Sequence, residues 1–229
     1  MITKEQILTL IKGQAPKRPF TIYLISLLSF FILCMLLSIL VYPLSFSFGD
    51  TWISELGDPT KNIPFGYIVF DIGFILSSIG LIPVFLNIYR RLSPFHPFVK
   101  NTLLGFWILG VLSFGSIGIL HDKIQPIHDI FSAIAFSCLS IGFLAEWGFH
   151  IYYAIKNKKS QDLLAISLSI GQLALFWILL FSFPVRKNIE FGDFAPWEWI
   201  GTSSIILTIF LISVILPPID IKKKETRIH

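Results

Sequence analysis

Charge is what this sequence has least of. Charged residues make up 14% of its 229 positions against 54% hydrophobic ones, with a mean hydropathy of +0.76. Such a balance excludes a soluble globular domain and describes an integral membrane protein. Cysteine is nearly absent too. Cys34 and Cys138 both sit inside apolar runs, where a lone cysteine acts as a small buried hydrophobe, so no disulfide framework follows. The chain has no phosphate-cradling Walker loop, no nucleophile elbow, no CxxC and no HExxH. It also lacks the charge rings of a channel and the paired repeats or broken helices of a transporter, with Pro83 the one kink point in the second span. No internal repeat, low-complexity segment or soluble domain remains to be placed.

What the sequence does have is six apolar runs: Phe20 to Tyr42, Phe65 to Ile88, Thr102 to Leu120, Asp129 to Ile155, Leu163 to Phe183 and Trp197 to Leu216. Each approaches the ~20 residues that cross ~30 Å of hydrocarbon, so the expected fold is all-α, a polytopic bundle of six transmembrane helices. The first run is too long for a signal-peptide core and no small-residue cleavage site follows it. Residues 1–19 are expected to form an interfacial segment, 20–216 the six-helix domain and 217–229 a basic tail. Within the first of these, Thr3 and Gln6 have capping-box spacing, Ile7, Leu8, Leu10 and Ile11 follow, and Gly13 and Pro16 end the pattern. A short helix lying on the membrane surface is the expectation.

Orientation comes from lysine and arginine. With the N-terminus inside, fourteen of the eighteen fall on the cytoplasmic side, leaving Lys61, Lys123, Arg186 and Lys187 outside. Both termini are therefore expected in the cytoplasm. The net charge of +4 reports this topology, and no nucleic-acid partner is expected. Gly66, Gly73, Ser77 and Gly80 form one small-residue stripe on the second span, and Gly105, Gly110, Gly115 and Gly118 punctuate the third. Neighbouring helices are expected to approach closely there.

The same topology gathers Asp50, Glu55, Asp58, His121, Asp122, His128, Asp129, Glu190, Asp193 and Glu198 at the outer face, while His96, His150 and His229 stay near the inner one. Asp71 lies a few residues inside the second span, where an ionised carboxylate costs up to ~2.5–3.5 kcal/mol and should face the bundle or water. His121, Asp122, His128 and Asp129 flank one short outer loop. Histidine with carboxylate suits zinc or general acid–base work, which makes His121, His128 and Asp129 candidate ligands for a divalent metal, although their spacing matches no established metal motif. The bland alternatives are a solvated His128 and an Asp129 that caps the helix it opens. Glu146 and His150 lie four residues apart and eighteen residues beyond His128, about 27 Å at helical rise, so they are expected to snorkel or to form an intrahelical pair. Trp52, Trp197, Trp199 and Tyr67 read as an interfacial aromatic belt.

Three pieces together resemble one family. Ile53-Ser54-Glu55-Leu56-Gly57 ahead of Pro64-Phe65-Gly66, then His128-Asp129 with Ala133 and Ala135-Phe136, then Glu198-Trp199 opening the last span, are similar in order and position to the six-span damage-regulated autophagy modulator superfamily. Animal members read Ser-Asp-Thr-Gly in the first piece, where this chain has Ser54-Glu55-Leu56-Gly57. The resemblance implies a six-helix bundle with all three motifs on the non-cytoplasmic side. Branches of the superfamily are associated with lipid-anchor remodelling and with phospholipid distribution, so membrane lipid is the implied substrate class.

Taken together, the expectation is a lipid-handling membrane protein whose outer polar site uses Ser54, Asp71, His128, Asp129 and Glu198. In an enzymatic form His128 would be the base or a metal ligand, and the carboxylates would orient it or share the ion. The competing class is a non-enzymatic interaction or scaffold protein in which these residues only clasp helix ends. The lipid, any reaction and any protein partner are not named by the sequence.

Overall fold

A computed structural model describes residues 4–92, 95–120, 126–156, 167, 170–171 and 195–215. Among them the structure is all helical: α1 (Lys4–Ile11), α2 (Lys17–Leu40), α3 (Pro64–Arg91), α4 (Pro97–Ile117), α5 (Ile127–Lys156) and α6 (Pro196–Phe210), the last running into a π-helical turn, Leu211–Ile215. Helices α2 to α5 are long and apolar enough to cross a membrane, and the Glu198–Val214 stretch is a shorter apolar helix. Apart from Ser167, Ile170 and Gly171, the expected fifth span, Leu163 to Phe183, lies outside the described residues, as does the tail 217–229.

Proline sets three of the starts. Pro64, Pro97 and Pro196 occupy the first turn of α3, α4 and α6, where a missing N–H leaves no bond unmade. His96 completes the α4 start, its Nδ1 accepting from the Phe98 N–H at 3.2 Å. The helices therefore begin at their prolines, ahead of the apolar runs that hydropathy detects. Helix α5 starts at Ile127, which puts Asp129 inside the first turn rather than at the N-cap expected of it.

Sequential helices pack side by side, α2 on α3, α3 on α4 and α4 on α5. The small-residue stripe makes the first contact as expected: a Cβ at Gly73 would lie 2.6 Å from Cys34 Cβ, and the Tyr23 hydroxyl donates to the Gly80 carbonyl at 2.6 Å. On α4, Gly110 meets Leu139 of α5 and Gly115 meets Ser78 of α3. Two aromatic clusters fill the bundle. Phe31, Phe70, Phe74 and Phe114 pack beneath Ile53 and Leu56 at one end, and Phe85, Trp107 and Phe143 pack toward the other. The outward faces are apolar as well, with Ile25, Leu36, Ile68, Leu76, Leu109, Leu112, Ile141 and Leu144 all exposed. An exterior of this kind suits lipid rather than water, and the protein is a multi-pass membrane protein.

Candidate polar site at the His128 end

The connection between α2 and α3 folds back over the bundle as a buried 3-10 turn, Ser54–Gly57. Its own polar groups hold it. Asp58 accepts from the N–H and hydroxyl of Thr60 at 2.7 and 2.6 Å. Buried Asn62 donates to the Leu56 carbonyl at 2.8 Å and to the Ser38 hydroxyl at 3.0 Å, tying the turn to α2. Glu198, in the first turn of α6, closes it from the other side, its Oε2 accepting from the Ser54 N–H at 3.0 Å and the Ser54 hydroxyl at 3.3 Å. Next to it, the Trp199 indole donates to the Thr51 carbonyl at 2.7 Å while its ring stands edge-on to Phe46 and Phe48. Trp199 is thus a packing residue of this loop.

His128 enters from α5 and is 3% exposed. Its Nδ1 lies 2.7 Å from the Leu120 carbonyl, an atom that only accepts, so Nδ1 carries a hydrogen. Nε2 then faces Glu198 Oε1 at 3.8 Å, a separation wider than a hydrogen bond. A neutral imidazole would present a lone pair to the carboxylate there, and an imidazolium would present a proton. The arrangement can therefore take a hydrogen-bond donor between the two atoms, or let Nε2 act as a base.

Of the five expected site residues, Ser54, His128 and Glu198 come together directly. Asp71 lies one layer deeper, between the turn and the end of α4: a Cβ on Gly57 would sit 3.0 Å from Asp71 Oδ1, and one on Gly118 would sit 3.3 Å from the Asp71 carbonyl. Among the described residues, Asp71 Oδ1 is buried without a hydrogen-bond partner. Asp129 does not join them. Its helical position turns it away from His128 and leaves it exposed. His121, the remaining candidate ligand, and Asp122 lie outside the described residues. Among the described residues no three histidine, cysteine or acidic groups converge, so His128 Nε2 and Glu198 Oε1 are two donors short of a protein-built zinc site.

Beside the turn, Glu55 pairs with Lys61 at 2.7 Å and accepts from the Tyr42 hydroxyl at 3.3 Å. Burial first, and the Glu55 charge second, push the Tyr42 phenol up to about 12, so it stays a neutral donor.

Glu146 and His150 sit at the opposite end of α5 as the intrahelical pair expected, Nε2 to Oε1 3.7 Å, but they do not snorkel. Glu146 is 1% and His150 5% exposed. Arg91, from the last turn of α3, is a cation whose field reaches Glu146. The Arg91 Nη1 also donates to the carbonyls of Ile212 and Ser213 in the π turn at 3.0 and 3.3 Å. Sequence reasoning missed Arg91, as it missed Ser38, Thr51, Asn62 and the Leu120 carbonyl. Only Asn62, two residues ahead of a helix-opening proline, carried a local signal.

The model of a family described as "Protein of unknown function (DUF998)" matches residues 25–215. The chain belongs to the DUF998 family. No curated protein and no solved structure matches it. The DUF998 region holds every residue of both polar clusters, from Ser38 to Ser213, and leaves α1 outside.

Proposed function

We propose that this DUF998 protein crosses the membrane six times with both termini in the cytoplasm, and that its outer polar site binds the headgroup of a membrane lipid. The observation that carries the reading is the His128–Glu198 gap. Two groups 3.8 Å apart, one an oriented imidazole and the other a carboxylate already fixed by Ser54, suit the hydroxyl or ammonium hydrogen of a headgroup. The Glu198 side chain is 15% exposed and that of His128 4%. Similarity of Ser54-Glu55-Leu56-Gly57, His128-Asp129 and Glu198-Trp199 to the damage-regulated autophagy modulator superfamily supports lipid as the ligand class. Remodelling or hydrolysis at this site would use His128 Nε2 as the base, its ring oriented by the Leu120 carbonyl.

One observation favours the clasp instead. Glu198 and Trp199 together hold Ser54 and Thr51 from 144 and 148 residues away, work that needs no ligand. Melting in detergent, with and without added phosphatidylethanolamine or phosphatidylglycerol, separates the two. As a headgroup site, His128→Ala melts nearly like wild type without lipid and loses the lipid-dependent rise. As a clasp, it loses about 1–3 kcal/mol without lipid and keeps that rise. Topology is tested separately by cysteine labelling in sealed cells. Lys61→Cys and Arg186→Cys react from outside and Lys158→Cys does not; labelling of the last overturns the orientation.

A further inference from the structure

Helix α1 buries none of its residues, and its Ile7, Leu8 and Ile11 are 50%, 50% and 53% exposed. Spaced i, i+1 and i+4, these three form one apolar stripe. The helix is nonetheless fixed in place. Leu10 packs on the core, and Gly13 turns the chain at φ +63° where a Cβ would lie 2.5 Å from the Asn87 nitrogen. Asn87 donates to the Gly13 carbonyl at 3.2 Å, and Arg90 Nε donates to the Lys12 carbonyl at 3.0 Å. The stripe is therefore carried rigidly at the Arg90 end of α3, the end of a membrane-crossing helix.

Charge around it is mostly positive. Lys4, Lys12, Lys17, Arg18 and Arg90 are exposed there, with Glu5 the one acid among residues 4–18. Lys17 and Arg18 occupy the first turn of α2, which holds no acid, and cations at a helix N-terminus oppose its dipole. Helix stability does not account for them; an anionic surface beside them does. We propose that α1 docks in the headgroup layer of the adjoining leaflet and selects anionic phospholipid. Ile7, Leu8 and Ile11 enter the acyl boundary while the five cations meet lipid phosphates.

The full chain is reconstituted in nanodiscs of phosphatidylcholine alone or with about 30% phosphatidylglycerol, a composition rich enough to charge the surface. A fluorophore is placed on Ile7→Cys or, as the solvent-facing control, on exposed Gln14→Cys, in a background with Cys34 and Cys138 replaced by alanine. The expected result is loss of iodide quenching at position 7 in the anionic discs only, reversed by Lys4→Gln, Lys12→Gln, Lys17→Gln and Arg18→Gln combined. Quenching at position 7 equal to that at 14 in both discs overturns the docking. Protection equal in both discs overturns the anionic preference, and protection that appears only with two copies per disc overturns lipid as the partner. His128→Ala should leave the readout unchanged, so failure here is distinct from failure of the headgroup site.

Discussion

Two histidine–glutamate pairs, one near each end of α5, have nearly the same separation and opposite surroundings. His128 and Glu198 come from different helices, 3.8 Å apart, and Glu198 Oε2 is doubly engaged by Ser54. His150 and Glu146 come from one helix, 3.7 Å apart, and among the described residues Glu146 Oε2 accepts nothing. The first pair is hydrogen-bonded on its flanks and partly open at Glu198. The second is buried, with the field of Arg91 from α3 reaching it. A histidine–glutamate spacing alone thus says little; what distinguishes a ligand gap from a structural pair is where the remaining oxygens and nitrogens go.

The contrast is best broken by removing Arg91. Arg91→Ala strands the Ile212 and Ser213 carbonyls and takes a nearby cation from Glu146, and unfolding in detergent should show a loss of about 3 kcal/mol. Arg91→Met combined with Glu146→Leu should recover only the part of that loss due to the Glu146 charge, because the two carbonyls still lack their donor. A double variant no more stable than Arg91→Ala would break the comparison. At the other pair the effects are smaller. Glu198→Ala should cost about 1–3 kcal/mol by orphaning the Ser54 N–H, whereas Ser54→Ala keeps that N–H bond and should cost under about 1 kcal/mol, both read by the same unfolding measurement.

The smallest effect is a pH dependence at the edge of the Ser54 turn. The Tyr42 phenol ionises at 10.0 in the unfolded chain and about 12 in the folded one, so folding favours the protonated form. Its contribution is complete below pH 10 and is lost as pH rises toward 12. Melting between those values should therefore fall more steeply in the wild type than in Tyr42→Phe.

Hydropathy made α2, α3, α4 and α5 legible because lipid imposes one requirement on all of them, an apolar exterior about 30 Å tall. Their ends were less legible, since Pro64, Pro97 and the terminal Arg91 are not apolar and still belong to the helices. Ser54, His128 and Glu198 were readable as a group because topology brings their helix ends to one side. Asp129 sits apart from His128 because adjacency in sequence turns two helical side chains about 100° apart, enough to bury one and expose the other. Glu146 and His150 were legible as an intrahelical pair, but their burial was not. Arg91, whose field reaches Glu146, lies 55 positions away on a helix that hydropathy cannot place beside it.

The bonds from Glu198 and Trp199 to Ser54 and Thr51 also order events in time. A ribosome releases the Ser54 turn long before residue 198 exists, so the turn waits with only Ser38, Asn62 and its own Asp58 to shape it. Closure of so long a loop comes late and depends on the last described helix taking its place beside α5. A chain halted before α6 keeps its α2–α3 and α3–α4 contacts and lacks the finished turn. The His128 end therefore cannot set until α6 has arrived.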